Sequence, residues 1–233
     1  MVTLGDTSFA KILLKDLLGR PLNDIEQKNA PEALYIKGKI ALPLPGPRVS
    51  IVGSRKASPN GLADSRMIAS KLVSNNVLIV SGLAEGIDTS AHIAAIRKGG
   101  QTVAVLGTPL DKSFPAKNFE LQQKMMREYM AISQFEVGEA VKPKNFVMRN
   151  RTMALISDAT IIVEASDRSG SLHQGWEAIR LGRPLFIWNS ILKHNVKWYK
   201  DMIEHGALVL EDPTDVLEVL PTSSPIEPVQ LLS

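Results

Sequence analysis

The chain has 233 residues, of which 44% are hydrophobic and 22% charged, with scattered glycines and prolines and no cysteine. This composition is that of a globular protein, and it excludes collagen-like and low-complexity chains. The lack of cysteine removes disulfide frameworks, thiolate metal sites and cysteine nucleophiles. The net charge of +3 is too small by itself to indicate nucleic-acid binding. No apolar run approaches the ~20 residues that span a bilayer, and the N-terminus has no signal-peptide pattern, so a cytoplasmic protein without membrane contact is expected.

The two ends of the chain differ from its middle. Residues 9–18 predict a short helix, and residues 33–37 with the proline cluster at 43–47 predict an extended lead-in. Residues 221–233 carry prolines, serines and an acid but no core pattern, and they predict a loose acidic tail. We therefore expect three regions: an N-terminal lead-in over residues 1–48, a main domain over 49–220, and the tail.

From residue 49 onward, short β-branched runs alternate with longer segments of helical period. The runs cover residues 49–52, 77–80, 102–106, 131–133, 160–163, 184–188 and 207–210. The helical segments between them include residues 60–75, 87–98, 118–129 and 171–181. Several runs are apolar almost throughout, which is typical of parallel strands buried on both faces. The alternation predicts an α/β fold with a doubly wound, mostly parallel sheet of extended Rossmann type and helices on both faces.

Small and polar residues follow several of these runs, at the edge where a doubly wound sheet binds its ligands. Ser58 before Pro59 predicts a helix N-cap whose free N–H groups attract anions. Neither a dinucleotide fingerprint nor a P-loop is present, which disfavours NAD oxidoreductases and P-loop ATPases. Glycines that only turn the chain remain an alternative. The candidate phosphate contacts in these turns are Ser58, Gly82, Ser169, Gly170 and Ser171.

The densest chemical signal lies between Lys142 and Arg151, which includes four cations and no acid. Arginines there provide guanidinium groups for phosphates, and Phe146 provides a flat face for an unpaired base. If the segment is helical, Phe146, Arg149 and Asn150 share one side. The alternative is a solvated basic face with Phe146 in the core.

An ordered series of short motifs resembles the DNA-processing protein A (DprA/Smf) family. The series comprises Ile51-Val52-Gly53-Ser54-Arg55, Val80-Ser81-Gly82-Leu83-Ala84-Glu85-Gly86-Ile87-Asp88 with Ala91-His92, Ala104-Val105-Leu106-Gly107, Phe114-Pro115 with Asn118, Phe146 before Arg149-Asn150-Arg151, and Val163-Glu164-Ala165 with Ser169-Gly170-Ser171-Leu172. Any one motif is weak, but the order over about residues 31–210 is specific.

The resemblance implies a protein that binds single-stranded DNA without a catalytic reaction of its own. It also implies a homodimer, and delivery of DNA to a RecA-type recombinase in natural transformation or recombination. Carried over residue by residue, the DNA-binding set is Gly53, Ser54, Arg55, Phe146, Arg149, Asn150 and Arg151, with Lys144 added by charge and position. No cofactor and no metal are expected, since no two histidines stand at ligand spacing with a carboxylate.

Two departures from the family pattern bear on function. Family members often carry a C-terminal winged-helix-like domain, for which the tail leaves no room in this sequence. After Leu172 the family usually continues with small residues and threonine, whereas this chain has His173-Gln174-Gly175-Trp176-Glu177. The resemblance therefore assigns residues of this chain to the DNA pocket, and it assigns none to a dimer-forming face or to a recombinase contact.

The main alternative is a nucleotide-processing enzyme of phosphoribohydrolase type that uses the same pocket. Such enzymes resemble a Gly-Gly-x-Gly-Thr-x-x-Glu pattern, and here Gln174 stands where that pattern has glutamate. Because glutamine cannot act as a general base, the substitution favours binding over catalysis. Glu164 and Glu177 are the other carboxylates available for such chemistry, and a nucleotide sensor without turnover is a third hypothesis.

Overall fold

The structure is a computed structural model that describes residues 9–221 except residues 168, 195 and 196. The strands are β1 (Ala10–Ile12), β2 (Leu34–Gly38), β3 (Arg48–Gly53), β4 (Leu78–Ser81), β5 (Thr102–Leu106), β6 (Met130–Ser133), β7 (Ala159–Glu164), β8 (Leu185–Trp188) and β9 (Leu208–Leu210). The α-helices are α1 (Leu14–Leu18), α2 (Asp24–Asn29), α3 (Pro59–Ser74), α4 (Ile87–Arg97), α5 (Phe119–Glu128), α6 (Pro143–Ile156), α7 (Ser171–Arg180) and α8 (Lys197–Glu204). Short 3-10 helices cover Ala116–Asn118, Asn189–His194 and Pro213–Val219.

The nine strands of the described residues form one sheet, in the order β1-β2-β6-β5-β4-β3-β7-β8-β9. The seven strands from β6 to β9 in this order are parallel to their neighbours, and β2 and β1 complete the sheet in antiparallel pairs. Every residue of β4, β5, β6 and β8 is buried, as expected for parallel strands covered on both faces. The predicted α/β class and mostly parallel, doubly wound sheet are confirmed.

Alternate side chains of each central strand enter cores on opposite faces of the sheet. Val80 and Val103 pack with residues of α6, α7 and α8 on one face. Ile79 packs on the other face with residues of α3 and α4. Helix α5 covers the neighbouring part of that second face through Met125. The sheet therefore holds α6 and α3 on opposite sides of the same strand ends.

The N-terminal region differs from the predicted lead-in because it belongs to the sheet and its core. The segment predicted as one helix is strand β1 followed by α1, and residues 34–37 of the predicted extended segment lie in β2, which pairs antiparallel with β6. Helix α2 adds a buried carboxylate, Glu26, that accepts hydrogen bonds from Arg20 and Arg183. The Arg20 hydrogen bond lowers the pKa of Glu26 to about 2. A domain boundary at residue 48 would thus cut through one sheet and one core. Of the predicted tail, residues 222–233 lie outside the described residues.

The chain changes direction across the sheet at β3. From β3 it adds β4, β5 and β6 on one side, then crosses to β7 on the other side of β3 and continues to β8 and β9. Such a reversal opens a crevice outside the carboxyl ends of the two central strands. The ends of β3 and β7, at Gly53 and Glu164, therefore mark the place for a ligand.

Candidate nucleic-acid interface

A cleft of about 450 Å³ lies at this reversal point, between the turn after β3, helix α6 and the loop before α7. Its volume is in the range of small-molecule and cofactor sites. The structure brings nine of the thirteen sequence-predicted residues together in its wall. They are Gly53, Ser54, Arg55, Phe146, Arg149, Asn150, Ser169, Gly170 and Ser171.

The turn after β3 is fixed by its backbone. The Ser54 N–H donates to the Glu164 carbonyl at 2.7 Å, and the Ser54 carbonyl accepts from the Ile87 N–H at 3.2 Å. A Cβ at Gly53 would lie 2.6 Å from Ile87 Cγ1 and 2.7 Å from the Glu164 carbonyl oxygen, so only glycine fits between β7 and α4. This packing holds Arg55, two residues after Gly53, at the mouth of the cleft.

Arg55 is exposed, and its guanidinium lies over the ring of Phe146, with Cζ 5.8 Å from the ring centroid. Phe146 is half-buried because its ring also packs on Gly107, where a Cβ would come within 2.5 Å of Phe146 Cδ1. No hydrogen bond from the Arg55 side chain is found within the described part of the chain. The pair thus places a solvated cation against an aromatic ring, the two kinds of group that bind phosphate and base.

Arg149 forms part of the cleft floor and is only 6% exposed. Its Nη1 donates to the Gly82 carbonyl at 2.6 Å and to the Val105 carbonyl at 2.7 Å, while Nε donates to Asn150 Oδ1 at 3.1 Å. The guanidinium therefore satisfies backbone carbonyls at the ends of β4 and β5. Arg149 supports the site from below and positions α6 against the strand ends.

Asp88 lines the cleft as well and is buried beside Arg149. Burial raises the pKa of the Asp88 carboxyl, and the nearby Arg149 guanidinium together with the Ala84 and Gly82 N–H groups opposes this rise. Burial lowers the pKa of Arg149, and Asp88 opposes that shift. Each group thus favours the charged form of the other, and Arg55 also acts to lower the pKa of Asp88.

Four sequence-predicted residues lie outside this cleft. Lys144 is exposed on a different face of α6 and lines a separate cavity of about 460 Å³. Arg151 pairs with Glu177 of α7, with Nε 3.2 Å from Oε2. Gly82 lines a smaller cavity that adjoins the cleft at Phe146.

Ser58, the fourth, caps α3 as expected, because its Oγ accepts from the Gly61 N–H at 3.0 Å. The same hydroxyl and the Ser58 N–H donate to the Glu164 carboxylate. The N-terminus of α3 therefore already interacts with the carboxylate of Glu164. This carboxylate occupies the position at which a phosphate was expected to bind the helix N-terminus.

The carboxylates on which a hydrolase mechanism would depend are engaged by other groups of the protein. Glu164 accepts from Ser58, and Glu177 pairs with Arg151 and Arg180. Gln174 lines the cleft but is fully buried, and its side-chain amide donates to the Asn150 carbonyl at 2.5 Å and accepts from the Ala154 N–H at 3.3 Å. Neither Glu164 nor Glu177 is among the described residues that line the cleft, and the glutamine amide is not a base.

The sequence of residues 1–221 matches the family described as DNA recombination-mediator protein A. The chain belongs to this family. The DprA/Smf resemblance read from the motifs is thereby confirmed, and the match extends to N-terminal residues that the motif series did not include.

Curated members of the family align over most of this chain. The DNA processing protein DprA of Streptococcus pneumoniae is 39% identical over 190 residues, which cover 81% of this chain and 67% of that protein. Protein Smf of Synechocystis is 36% identical over 175 residues, which cover 75% of this chain and 44% of that protein. The matched region thus spans about half to two thirds of the length of these curated DprA/Smf relatives.

Solved structures of family members share the fold. The X-ray structure of DprA from Streptococcus pneumoniae has a TM-score of 0.78 at 34% identity and covers 92% of this chain and 75% of its own. A Helicobacter pylori DprA structure, described for its single-stranded DNA binding mode, has a TM-score of 0.75 at 25% identity and covers 90% of this chain and 95% of its own. A molybdenum cofactor binding protein from Rippkaea orientalis shares the fold alone, with a TM-score of 0.51 at 18% identity.

Neither a membrane span nor a metal cluster is found among the described residues. No helix there is long and apolar enough to cross a bilayer. Within the same ranges, no three histidine or carboxylate side chains are grouped so that they could hold a metal ion.

The cleft also contains residues that the DprA-like motif series did not assign to the site. Lys56 follows Arg55 and is exposed at the cleft wall, and His173 is exposed there too. Phe114 was part of a motif but had no role, and its ring packs against Phe146 with centroids 5.1 Å apart. The position of Lys56 directly after the first turn could have signalled its role, whereas the contact of Phe114 with Phe146 depends on tertiary structure.

Proposed function

We propose that the chain binds single-stranded DNA in the cleft beside β3 and β7 and acts as a recombination mediator without a catalytic step of its own. The observation that carries this proposal is the exposed Arg55 guanidinium over the face of Phe146 at the cleft mouth. The single-stranded DNA binding mode described for the Helicobacter pylori family member supports the same ligand.

Phosphates are held by cations on two sides of the start of α6. Arg55 and Lys56 face the cleft, while Lys142 and Lys144 are exposed at the first turn of α6. A strand that leaves the cleft over this turn meets both groups in succession. Neutralisation of about four phosphates then gives a slope of log K against log salt near −3, from about 0.7 per contact on single strands.

The remaining DNA-binding residues shape the pocket. Gly53 and Ser54 let the backbone approach closely, Asn150 holds the loop before α7 through the Gly170 carbonyl at 3.2 Å, and Arg149 fixes the floor. Ser169, Gly170 and Ser171 add small polar contacts to a phosphate, and the Ser171 hydroxyl is buried without a hydrogen-bond partner in the described residues. Arg151 contributes a partly exposed cation that shares Glu177 with Arg180.

A base stacks on Phe146, and this step selects single strands. Bases inside a duplex are already stacked and paired, so they present no free face to the ring. Stacking on an aromatic ring accepts every base, since each has a π-face, and the proposal therefore includes little sequence preference.

We further propose that the protein forms a homodimer in the cytoplasm and passes bound DNA to a RecA-type recombinase, in transformation or recombination. The family description as a recombination mediator supports this assignment. Light scattering on the purified protein tests for the dimer. Strand-exchange assays with a RecA-type protein test for the transfer, and no stimulation of exchange would contradict it.

Fluorescence anisotropy of a labelled single strand of about 30 nucleotides tests the binding proposal at two salt concentrations. Binding that weakens with salt, and that duplex DNA displaces only poorly, supports the proposal. Phe146→Ala should weaken binding, whereas Phe186→Ala, at a buried phenylalanine of β8 outside the walls of the cleft and of the cavity beside Lys144, controls for loss of stability. Displacement by adenosine monophosphate alone, or no binding to the strand, would contradict DNA binding and favour a nucleotide enzyme or sensor.

A further inference from the structure

A second, smaller cavity of about 190 Å³ adjoins the cleft and has no role in the pocket described so far. Five residues line both cavities: Arg55, Lys56, Ala84, Phe146 and Arg149. The Phe146 ring with the Arg55 guanidinium over it therefore forms the partition between them. The far wall of the smaller cavity is made by Phe114 and Pro115.

Phe114 is 51% exposed, although its ring contacts another aromatic ring. The rings of Phe114 and Phe146 are tilted by 55° with centroids 5.1 Å apart, so part of the Phe114 face stays open to solvent. An open aromatic face beside a cavity and a cation is a surface on which a nucleobase stacks.

The Phe114 loop is held in place before any ligand arrives. Asn118, four residues on, donates from Nδ2 to the Leu83 carbonyl at 2.8 Å and to Thr89 Oγ1 at 2.9 Å. Lys117 of the same loop pairs with Glu85 in the turn before α4. These contacts tie the loop to the neighbouring strand end, so the cavity is preformed and costs little ordering on binding.

We propose that this cavity is a second nucleobase slot, in which Phe114 stacks the base next to the one on Phe146. The inference rests on the proposed single-stranded DNA function and extends its contact from one base to two. The slot lies on the opposite side of the Phe146 partition from the phosphate-binding cleft, which matches a strand whose backbone passes Arg55 while successive bases enter neighbouring cavities. The ligand class is any nucleobase of the bound strand.

Phe114→Ala tests the slot against Phe119→Ala, which removes the same atoms from a phenylalanine of nearly equal exposure, 49%, outside both cavity walls. Binding of a labelled thymidine oligomer should weaken about 5- to 150-fold in Phe114→Ala, the range for loss of one stacked base. Phe119→Ala should bind as the unchanged protein does. Because phenylalanine carries no charge, the slope of log K against log salt should stay constant in both variants.

An abasic oligomer of the same length separates base stacking from backbone contact. Phe114→Ala should bind it as tightly as the unchanged protein, and an equal loss on both oligomers would overturn the slot. If the unchanged protein binds neither oligomer, the proposed function itself has failed.

A double-mutant cycle with Phe146→Ala excludes an indirect effect through the neighbouring ring. If Phe114 stacks a separate base, adding Phe114→Ala to Phe146→Ala should weaken binding at least another fivefold. A smaller further loss would mean that Phe114 acts only by holding Phe146, and the second slot would be wrong. Thermal unfolding of each variant confirms that the compared proteins are folded.

Discussion

Arg55→Ala should remove one phosphate contact without disturbing the fold. With about four phosphates bound at about 0.7 each, the unchanged protein has a slope of log K against log salt of about −2.8, and the variant one of about −2.1. A tenfold rise in salt then lowers affinity about 630-fold for the unchanged protein and about 130-fold for the variant. Since the Arg55 side chain is exposed and lies over the Phe146 ring, we expect the free energy of unfolding to fall by about 1 kcal/mol or less.

Arg97→Ala is the matched control for this experiment. Arg97 is an exposed arginine in the last turn of α4, at the edge of the sheet opposite the cleft, so its removal changes net charge by the same amount. Anisotropy titrations at four or more salt concentrations, about 50 to 500 mM, measure both slopes. Equal slopes for Arg55→Ala and Arg97→Ala would show that only net charge matters and would refute the assignment of Arg55.

Three predictions concern the stability on which the site depends. Arg149→Met should lower the free energy of unfolding by about 3–5 kcal/mol, because it leaves the Gly82 and Val105 carbonyls without their buried donor and removes a cation that opposes the rise in the pKa of Asp88; adding Asp88→Asn should recover part of the loss in urea titrations. Asp158→Ala should cost a similar amount by orphaning Arg48, whose Nη2 lies 2.9 Å from Asp158 Oδ1, and a loss below about 1 kcal/mol would contradict a buried pair. Burial lowers the pKa of His92 to about 3, so below pH 6.5 the unfolded chain binds a proton that the folded protein does not, and stability should fall by up to about 1.4 kcal/mol per pH unit toward pH 3. His92→Gln should flatten that part of the profile.

The central strands could be predicted from the sequence because parallel strands buried on both faces are continuous apolar runs. The run at 102–106 coincides with β5, and the other predicted parallel strands differ from the observed ones by one residue at either end or not at all. Strand β1 escaped prediction because it has three residues at an edge of the sheet, where the middle side chain is exposed and no buried run exists. Edge strands of this length carry too weak a pattern to distinguish from the start of a helix.

The cleft residues near a strand end could also be predicted. The different positions of the two arginines of α6, one under the cleft and one outside it, could not be predicted from charge alone. Arg149 and Arg151 stand two positions apart in a helix and therefore point to different sides. Arg149 is buried under the strand ends, and Arg151 pairs with Glu177 of α7. The hydrogen bond of Ser58 to Glu164 joins residues 106 positions apart, and no local pattern reports such a contact.

The pairing of β3 with β7 has a consequence for the order in which the protein is made. Val49 lies opposite Ala159, so the two central strands are adjacent in space but separated by most of the α/β domain in the chain. During synthesis, β3 to β6 leave the ribosome with one side of β3 still unpaired, and the cleft gains its second wall only when β7 and α7 follow. Such long-range pairing is a late event in folding. A nascent chain therefore has no complete cleft until α7 (Ser171–Arg180) has been translated.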